Sequence, residues 1–477
     1  MNNIEKIINK IKKDTNNAED ITYRKKIISK KEIYIIYNES LTSSNTISDF
    51  IIRSLDNIKN KSTLIDTITN NIDNFKYSII NNYEDICYYL NYGFTIILIE
   101  NENNYIVLET KRNLSRSIST PQTEKSLRAA MDSFVEDIQT NIGLIRRRIK
   151  TNDLWIDSNE IGKYTKTKVN ILYIKSIYKK KYLKLIKEKL NKIDIDGIIN
   201  IGTIKNLITD ENKTIFPTII TTERPDRVSS ALLKGKIVIL IDTSPFAIIL
   251  PVCLNDFFLQ TEDTYSKSIN ISLTRIIRYL AFFITLLTPA IYIALTTHNK
   301  ELLPLKMLTS ITSQRKNVPF SVFTEALIML VSFEILKESE LRLPNFTTSS
   351  LSIVGALILG QASVEAGIVS PIMIIVIAIT SISSLLLTEP ELSNGIRWYR
   401  LLFMISANLL GIKGLIIVLI ILFLDLTRTN SFGLPYMYPF IPTNLYALKN
   451  SIIKFPIKKL NKREKVLSDN KTKYKEK

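Results

Sequence analysis

The run from Gly355 to Leu387 (GALILGQASVEAGIVSPIMIIVIAITSISSLLL) is far more apolar than a water-facing helix allows, and it carries a single carboxylate. A soluble amphipathic helix keeps a polar face. Here Gln361, Ser363 and Glu365 are the main polar interruptions before Pro371 breaks the run into two spans. A chain with such a segment is expected to place part of itself in a bilayer, where an ionisable group is costly and faces a partner or a water-filled cavity.

The other apolar stretches are read with the same rule. Candidate spans cover Arg278 to Thr296, Val318 to Leu336, Leu351 to Val369, Ile372 to Leu387 and Ile396 to Leu424. The last is interrupted by Gly411, Lys413 and Gly414, and reads either as one tilted helix or as a helical hairpin. Val318 to Leu336 contains Glu325 and Glu334 and is either interfacial or spanning, so four to six spans are expected. The basic residues crowd both ends, Lys6 to Lys31 and Lys449 to Lys477, which places both ends on the cytoplasmic side. The net charge of +18 is matched to anionic lipid headgroups, because no nucleic-acid-binding motif accompanies it.

The chain divides near residue 275 into a polar front and an apolar back. The expected fold is an α/β soluble N-terminal half, built as two small α/β subdomains, followed by an all-α multi-span membrane domain. Residues 1–30 read as a basic flexible lead-in with no apolar signal core, so the front half is expected to stay cytosolic. Residues 31–162 form the first subdomain, with a strand at Ile33 to Tyr37, helical segments over Ile47 to Ile72 and a hairpin of Phe94 to Glu100 with Tyr105 to Glu109. Apolar residues at Leu127, Met131, Phe134, Ile138, Ile142, Ile145 and Ile149 predict one long amphipathic helix from Gln122 to Lys150, introduced by Pro121. Residues 163–270 form the second subdomain. Its expected strands are Asn170 to Tyr173, Gly197 to Ile201, Thr218 to Thr221, Ile237 to Asp242 and Phe246 to Val252, with helices at Lys179 to Lys192 and from Pro225 to Gly235. Residues 271–445 are the transmembrane helical domain and 446–477 a basic cytoplasmic tail.

Several polar residues are candidates for function. Gln361 and Glu365 are four apart and share a helix face; around an axis of several subunits that face makes a ring of carboxylates, which favours cations in a pore. A pair of Glu365 with Lys413 is the competing, structural reading. Glu325 and Glu334 are separated by about 900 degrees of helix rotation, so they lie on opposite faces and do not line one pore. Small residues at Ala356/Gly360, Ala362/Ala366 and Ser363/Gly367 have the spacing that lets membrane helices approach closely. Arg146, Arg147 and Arg148 either bind an acidic partner or sit solvated at a helix C-terminus.

Enzyme signatures are missing from the sequence: no Gly-rich phosphate loop, no HExxH, no nucleophile elbow, and a single histidine, His298, at the end of a span. Cys87 and Cys253 are far apart and have no metal-ligand spacing, so they are expected to be reduced thiols, and neither a metal nor a cofactor is expected.

Residues 121–150 (PQTEKSLRAAMDSFVEDIQTNIGLIRRRIK), 162–174 (GKYTKTKVNILYI), 223–227 (ERPDR), 242–247 (DTSPFA), 289–297 (PAIYIALTT), 353–371 (IVGALILGQASVEAGIVSP) and 431–439 (SFGLPYMYP) occur in an order and spacing that resembles the A-subunit family of bacterial spore germinant receptors, the GerA family. One departure is that Arg128 to Phe134 reads RAAMDSF where the family usually has Arg-Gly-Pro-Arg-Glu-Gly-Phe, so the helix there is expected to be more regular. The resemblance implies a protein of the dormant spore's inner membrane that acts with a transporter-like B subunit and a lipoprotein C subunit to sense nutrients and start germination. It also implies a homo-oligomer forming an ion-conducting part, with Glu223, Arg224, Asp226 and Arg227 joining the three arginines as candidates for coupling or assembly. A non-conducting scaffold and a stand-alone transporter are the alternative functions.

Overall fold

The computed structural model describes residues 3–28, 31–56, 65, 68, 76–112, 130–209, 214–342, 360–456 and 462–468. The proposed helix start at Pro121, Leu127, Arg128, the region around Ala356 and parts of the basic tail lie outside them.

The front of the chain folds immediately rather than after a flexible lead-in. Helix α1 (Asn3–Asp14) buries Ile4, Ile8 and Ile11, a three-four spacing, and β1 (Ile21–Ile28) follows it as an edge strand. Then come β2 (Lys31–Asn38), the helical run α2 (Ser44–Thr46, through a wider π turn at Ile47–Ile52, to Arg53–Asp56), β3 (Tyr77–Ile80), α3 (Tyr83–Asn91), β4 (Phe94–Ile99) and β5 (Tyr105–Glu109). The strands form one antiparallel sheet in the order β1-β2-β4-β5-β3. Ile33, Ile35, Ile97 and Ile99 meet Ile47, Ile51 and Leu55 on one face, and Ile36, Ile96 and Leu98 meet α1 and α3 on the other. Coverage of both faces explains why β4 is apolar at every position but Thr95.

The second unit starts earlier than residue 163. Helix α4 (Ile138–Arg146) and β6 (Leu154–Ile161) both belong to it, followed by β7 (Thr167–Ile174), α5 (Lys180–Asn191), α6 (Ile201–Ile208), β8 (Ile220–Thr222), α7 (Pro225–Leu233), β9 (Ile237–Ile241) and β10 (Ala247–Leu250). Its antiparallel sheet runs β6-β7-β9-β10-β8. Renumbered from its own first strand, this is the order of the first sheet. The two units also share the sequence helix, hairpin, helix, strand, helix, hairpin, with one extra helix in the second. In both, a left-handed glycine links the third helical layer to the next strand: Gly93 (φ 80°) and Gly235 (φ 93°).

Two expected elements differ. Within its described part, residues 130–150, the long helix expected from Gln122 to Lys150 is only α4, because Asp137 caps it by accepting from Gln139 N and Thr140 N, and the described residues before it are bonded elsewhere. Asn141 holds both backbone groups of Val135 with its amide (2.8 and 2.6 Å), and Phe134 N donates to Glu223 O (2.8 Å). Helix-forming residues at Ala130 to Ser133 are overridden by these tertiary bonds. The strand expected at Gly197 to Ile201 is absent; Asn200 instead caps α6 through Thr203 N (3.0 Å), and Ile204 and Ile208 are buried on one face.

The back half is a helical bundle: α8 (Ser268–Thr297), α9 (Leu305–Gln314), α10 (Val322–Arg342), α11 (Pro371–Leu385), α12 (Pro390–Leu410), α13 (Ile412–Arg428) and the short α14 (Leu445–Leu448). Residues 360–365 are also helical, and the chain turns at Gly367 (φ 65°) before Ser370 and Pro371 open α11. Gly411 divides the final apolar run into the hairpin α12/α13. Among the described residues one helix, α8, is long and apolar enough to cross a membrane by length and composition alone, and α11 is a shorter apolar helix. A continuous apolar core runs from the inner face of the second sheet (Leu172, Val238, Leu240, Ile249) through Phe257 and Phe258 into the bundle at Phe282, Leu286 and Phe403. The last segment returns to the other face of that sheet, where β11 (Asn430–Ser431), β12 (Leu434–Pro435), Tyr438, Ala447 and Leu467 pack on Val169, Ile171 and Ile248.

Candidate functional site

The candidate coupling residues gather where the second α/β unit meets the bundle. Pro225 at the first turn starts α7 and fixes the residues just before it. Arg224, 1% exposed, folds back on Asp226 (3.1 and 2.8 Å) and on Ala130 O (3.2 Å). The Glu223 carbonyl accepts from Phe134 N and from Ser133 Oγ (3.1 Å), tying the incoming segment to α7. Arg227 points outward, onto Glu389 at 2.5 Å, the residue that caps α12. Lys205 on α6 pairs with Glu391 in the first turn of α12, and Phe216 stacks on Tyr399 with ring centroids 5.3 Å apart. One end of α12 is thus clamped by two ion pairs and an aromatic stack, with acidic residues at the positive end of the helix dipole.

The three consecutive arginines have three different fates. Arg146 is 2% exposed and forms a bidentate pair with the equally buried Asp20, Nη2 to Oδ1 at 2.9 Å, which joins the first unit to the second. The expectation that it is solvated or meets a separate partner is therefore corrected. Arg148 grips Asp132 with two bonds of 2.6 and 2.7 Å, and Arg147 is exposed.

A second buried charge cluster sits where α8 leaves the α/β unit. Asp263 accepts from Arg275 Nε (2.8 Å) and Arg278 Nη1 (3.0 Å), while Arg275 also donates to Asn450 O (2.6 Å) and Arg278 to Phe258 O (3.0 Å) and Gln260 Oε1 (2.6 Å). Sequence reading gives these arginines no role beyond starting a candidate span at Arg278; the structure makes them a joint between α8, the preceding turns and the C-terminal segment.

Within the bundle the acidic residues separate by role. Glu325 is fully buried, and its Oε1 accepts both the backbone N–H and the hydroxyl of Ser370 (2.5 Å each), with Arg315 Nε 3.5 Å from the other oxygen. It closes the start of α11, where the apolar run is broken. Glu334 faces a different helix and pairs with Arg397 and Arg400 of α12. Gln361 and Glu365 are exposed on the outside of a single chain, with Ser363 half-buried between them. Lys413 is exposed too, and among the described residues no ion pair joins it to Glu365. His298 ends α8, its Nε2 2.7 Å from Asn408 O. Cys253 is buried and Cys87 half-buried, and both thiols are free.

A profile of the family described as "Bacillus/Clostridium GerA spore germination protein" matches residues 9–466. The chain belongs to the GerA family. Spore germination protein KA of Bacillus subtilis (strain 168) is 37% identical over 457 residues, 94% of this chain and 84% of that protein. Spore germination protein A1 of the same organism is 35% identical, covering 95% and 94%, and spore germination protein GerLA of Bacillus cereus is 31% identical, covering 98% and 96%. The crystal structure of the N-terminal domain of the A subunit of the Bacillus megaterium spore germinant receptor GerK3 aligns with 51% of this chain and 92% of its own, at 32% identity and a TM-score of 0.40.

For this GerA-family chain, sequence reading names Glu223, Arg224, Asp226 and Arg227, which lie together because they are contiguous. It misses their partners Glu389 and Glu391, Asp20, and the cluster at Asp263. The one available signal was Glu-Pro-Glu at residues 389–391, acidic residues around a helix-opening proline directly after an apolar run.

Proposed function

We propose that the chain is the A subunit of a spore germinant receptor in the spore inner membrane, coupling nutrient sensing by its partner subunits to an ion pathway through the bundle. The observation that supports a membrane-crossing bundle is its apolar outer face. Ile375, Ile379 and Ile382 on α11, Leu402, Ile405 and Leu409 on α12, and Ile416, Ile417 and Ile420 on α13 are all exposed. Such continuous apolar faces belong against lipid or another subunit.

Contacts at the two ends of the described helices support a bundle whose helices alternate in direction. At the end remote from the α/β units lie the His298–Asn408 contact, the Asn299 Oδ1 bond to Ile412 N (3.0 Å) and the Glu325–Ser370 contact. At the near end lie Arg227–Glu389, Gln260 to Thr388 (3.3 Å) and Ser431 to Thr218 (2.6 Å). On this reading the chain goes out along α8 and back along α10, comes back from Ser370 along α11, and goes out along α12 and back along α13, which brings the start of α8 and the end of α13 to the side of the α/β units. This agrees with basic ends on the cytoplasmic side.

Oligomerisation with B and C partners and a pore lined by the helix of Glu365 are part of this reading. Exposure of Gln361 and Glu365 on a single chain is what a subunit-lined pathway requires. The test is ion conductance of the purified chain in liposomes with and without its B and C partners, comparing wild type with Glu365→Gln and Glu365→Lys. A nutrient-dependent cation current altered by both substitutions is expected; no current from an intact complex favours a non-conducting scaffold.

A further inference from the structure

Between the second half of α7, the turns after β10, the first turns of α8 and the C-terminal segment lies an open cleft of about 510 Å³. Its walls carry six cations, Arg227, Lys234, Lys236, Arg275, Lys454 and Arg463, against three carboxylates, Asp226, Asp256 and Asp263, which leaves a surplus of three positive charges. Much of this charge is matched: Lys236 Nζ lies 2.6 Å from Asp256, Arg275 binds Asp263, and Arg227 reaches Glu389.

Two lysines are not matched by a carboxylate. The Lys234 ammonium makes no hydrogen bond or ion pair among the described residues, and Lys454 donates to a neutral acceptor, the carbonyl of Asp263. Burial lowers the pKa of both ammonium groups; Arg275 adds repulsion at Lys454, while at Lys234 the more distant Asp256 carboxylate opposes the shift and Lys236 adds to it. Apolar Ile220, Ile249 and Leu259 form part of the same wall, so water is partly replaced around these amines. A desolvated cluster with surplus positive charge gains stability from a bound anion, and a doubly charged tetrahedral group meets a surplus of this size better than a single carboxylate does.

We propose that this cleft binds a phosphate-bearing anion, with Lys234 and Lys454 as its principal charged contacts. Arg275 stands in the second turn of α8, the helix long enough to cross a membrane, so the cleft opens at the level where a phospholipid headgroup lies. A headgroup and a free phosphate compound present the same chemistry here, and the two sources are separable. The proposal stands independently of whether the bundle conducts ions.

The full chain in a zwitterionic detergent is titrated with inorganic phosphate, against chloride at matched ionic strength, while its thermal midpoint is followed. In parallel it is placed in phosphatidylcholine nanodiscs with and without phosphatidylglycerol. Wild type should be stabilised by phosphate, by phosphatidylglycerol, or by both; Lys234→Gln and Lys454→Gln should each weaken the response roughly tenfold, and Lys234→Arg should retain it. Stabilisation by free phosphate alone assigns a soluble ligand, and stabilisation by phosphatidylglycerol alone assigns a headgroup. Without added anion Lys234→Gln should be about as stable as wild type, since the half-buried ammonium it removes forms no ion pair among the described residues. If neither anion stabilises wild type, or if Lys234→Gln responds as wild type does, the proposal is wrong.

Discussion

Neighbouring arginines in one sequence triplet carry unequal weight, and the difference is set by what each side chain reaches. Arg146 and Asp20 lie 126 residues apart and are buried together. Replacing Arg146 by alanine leaves a buried carboxylate without its counter-charge, which costs about 3–5 kcal/mol. Arg147→Ala, on an exposed side chain, should stay within about 0.5 kcal/mol of wild type. Thermal unfolding of the full chain separates the two, and equal midpoints would remove the structural role assigned to Arg146. Sequence alone reads the triplet as a charged helix end, because nothing in local spacing reveals that Asp20 approaches from a different unit. The ERPDR segment was legible for the opposite reason: Arg224 and Asp226 are near neighbours, so their pairing is local.

At the level of elements, the strands with unbroken apolar runs were legible, as were the hairpin of β4 with β5 and helix α7 with its proline start and glycine stop. The failures share a cause. Helix propensity before Asp137 was outweighed by bonds from Asn141 and Glu223, and the repeat of one topology in both units was invisible because the repeated feature is strand order rather than residue identity. The break in the last apolar run was open in sequence and is decided by Gly411, whose backbone (φ 62°, ψ −140°) suits glycine. A Cβ there would also collide with Asn299 Oδ1 and come within 2.8 Å of His298 Cβ. Gly411→Ala should therefore destabilise the α12/α13 hairpin by roughly 1–3 kcal/mol or more. Gly360→Ala is the informative control, because no described atom lies within 4 Å of its added Cβ. It should leave the monomer's thermal midpoint unchanged. If Gly411→Ala is equally silent, the hairpin turn does not depend on that backbone geometry.

For the whole molecule, the proposed membrane path makes a two-sided prediction. In a chain whose native cysteines are replaced by serine, Lys300→Cys and Lys449→Cys should react with a membrane-impermeant maleimide from opposite sides of sealed vesicles. Labelling of both from one side would exclude an odd separation between them and overturn the path from α8 to α13. The residues that return after α13 have a further consequence. Leu467 O sits 2.8 Å from where a Cβ on Gly235 would be, Val466 O accepts from Tyr182 at 2.7 Å, and Leu254 N donates to Tyr436 O at 2.8 Å. The second sheet is made early in translation, yet the surface these residues cover stays bare until the ribosome has delivered the helices of the bundle and the segment beyond them. Biogenesis thus carries its own completion signal: only a chain read through almost to residue 467 and correctly threaded can seal its second α/β unit.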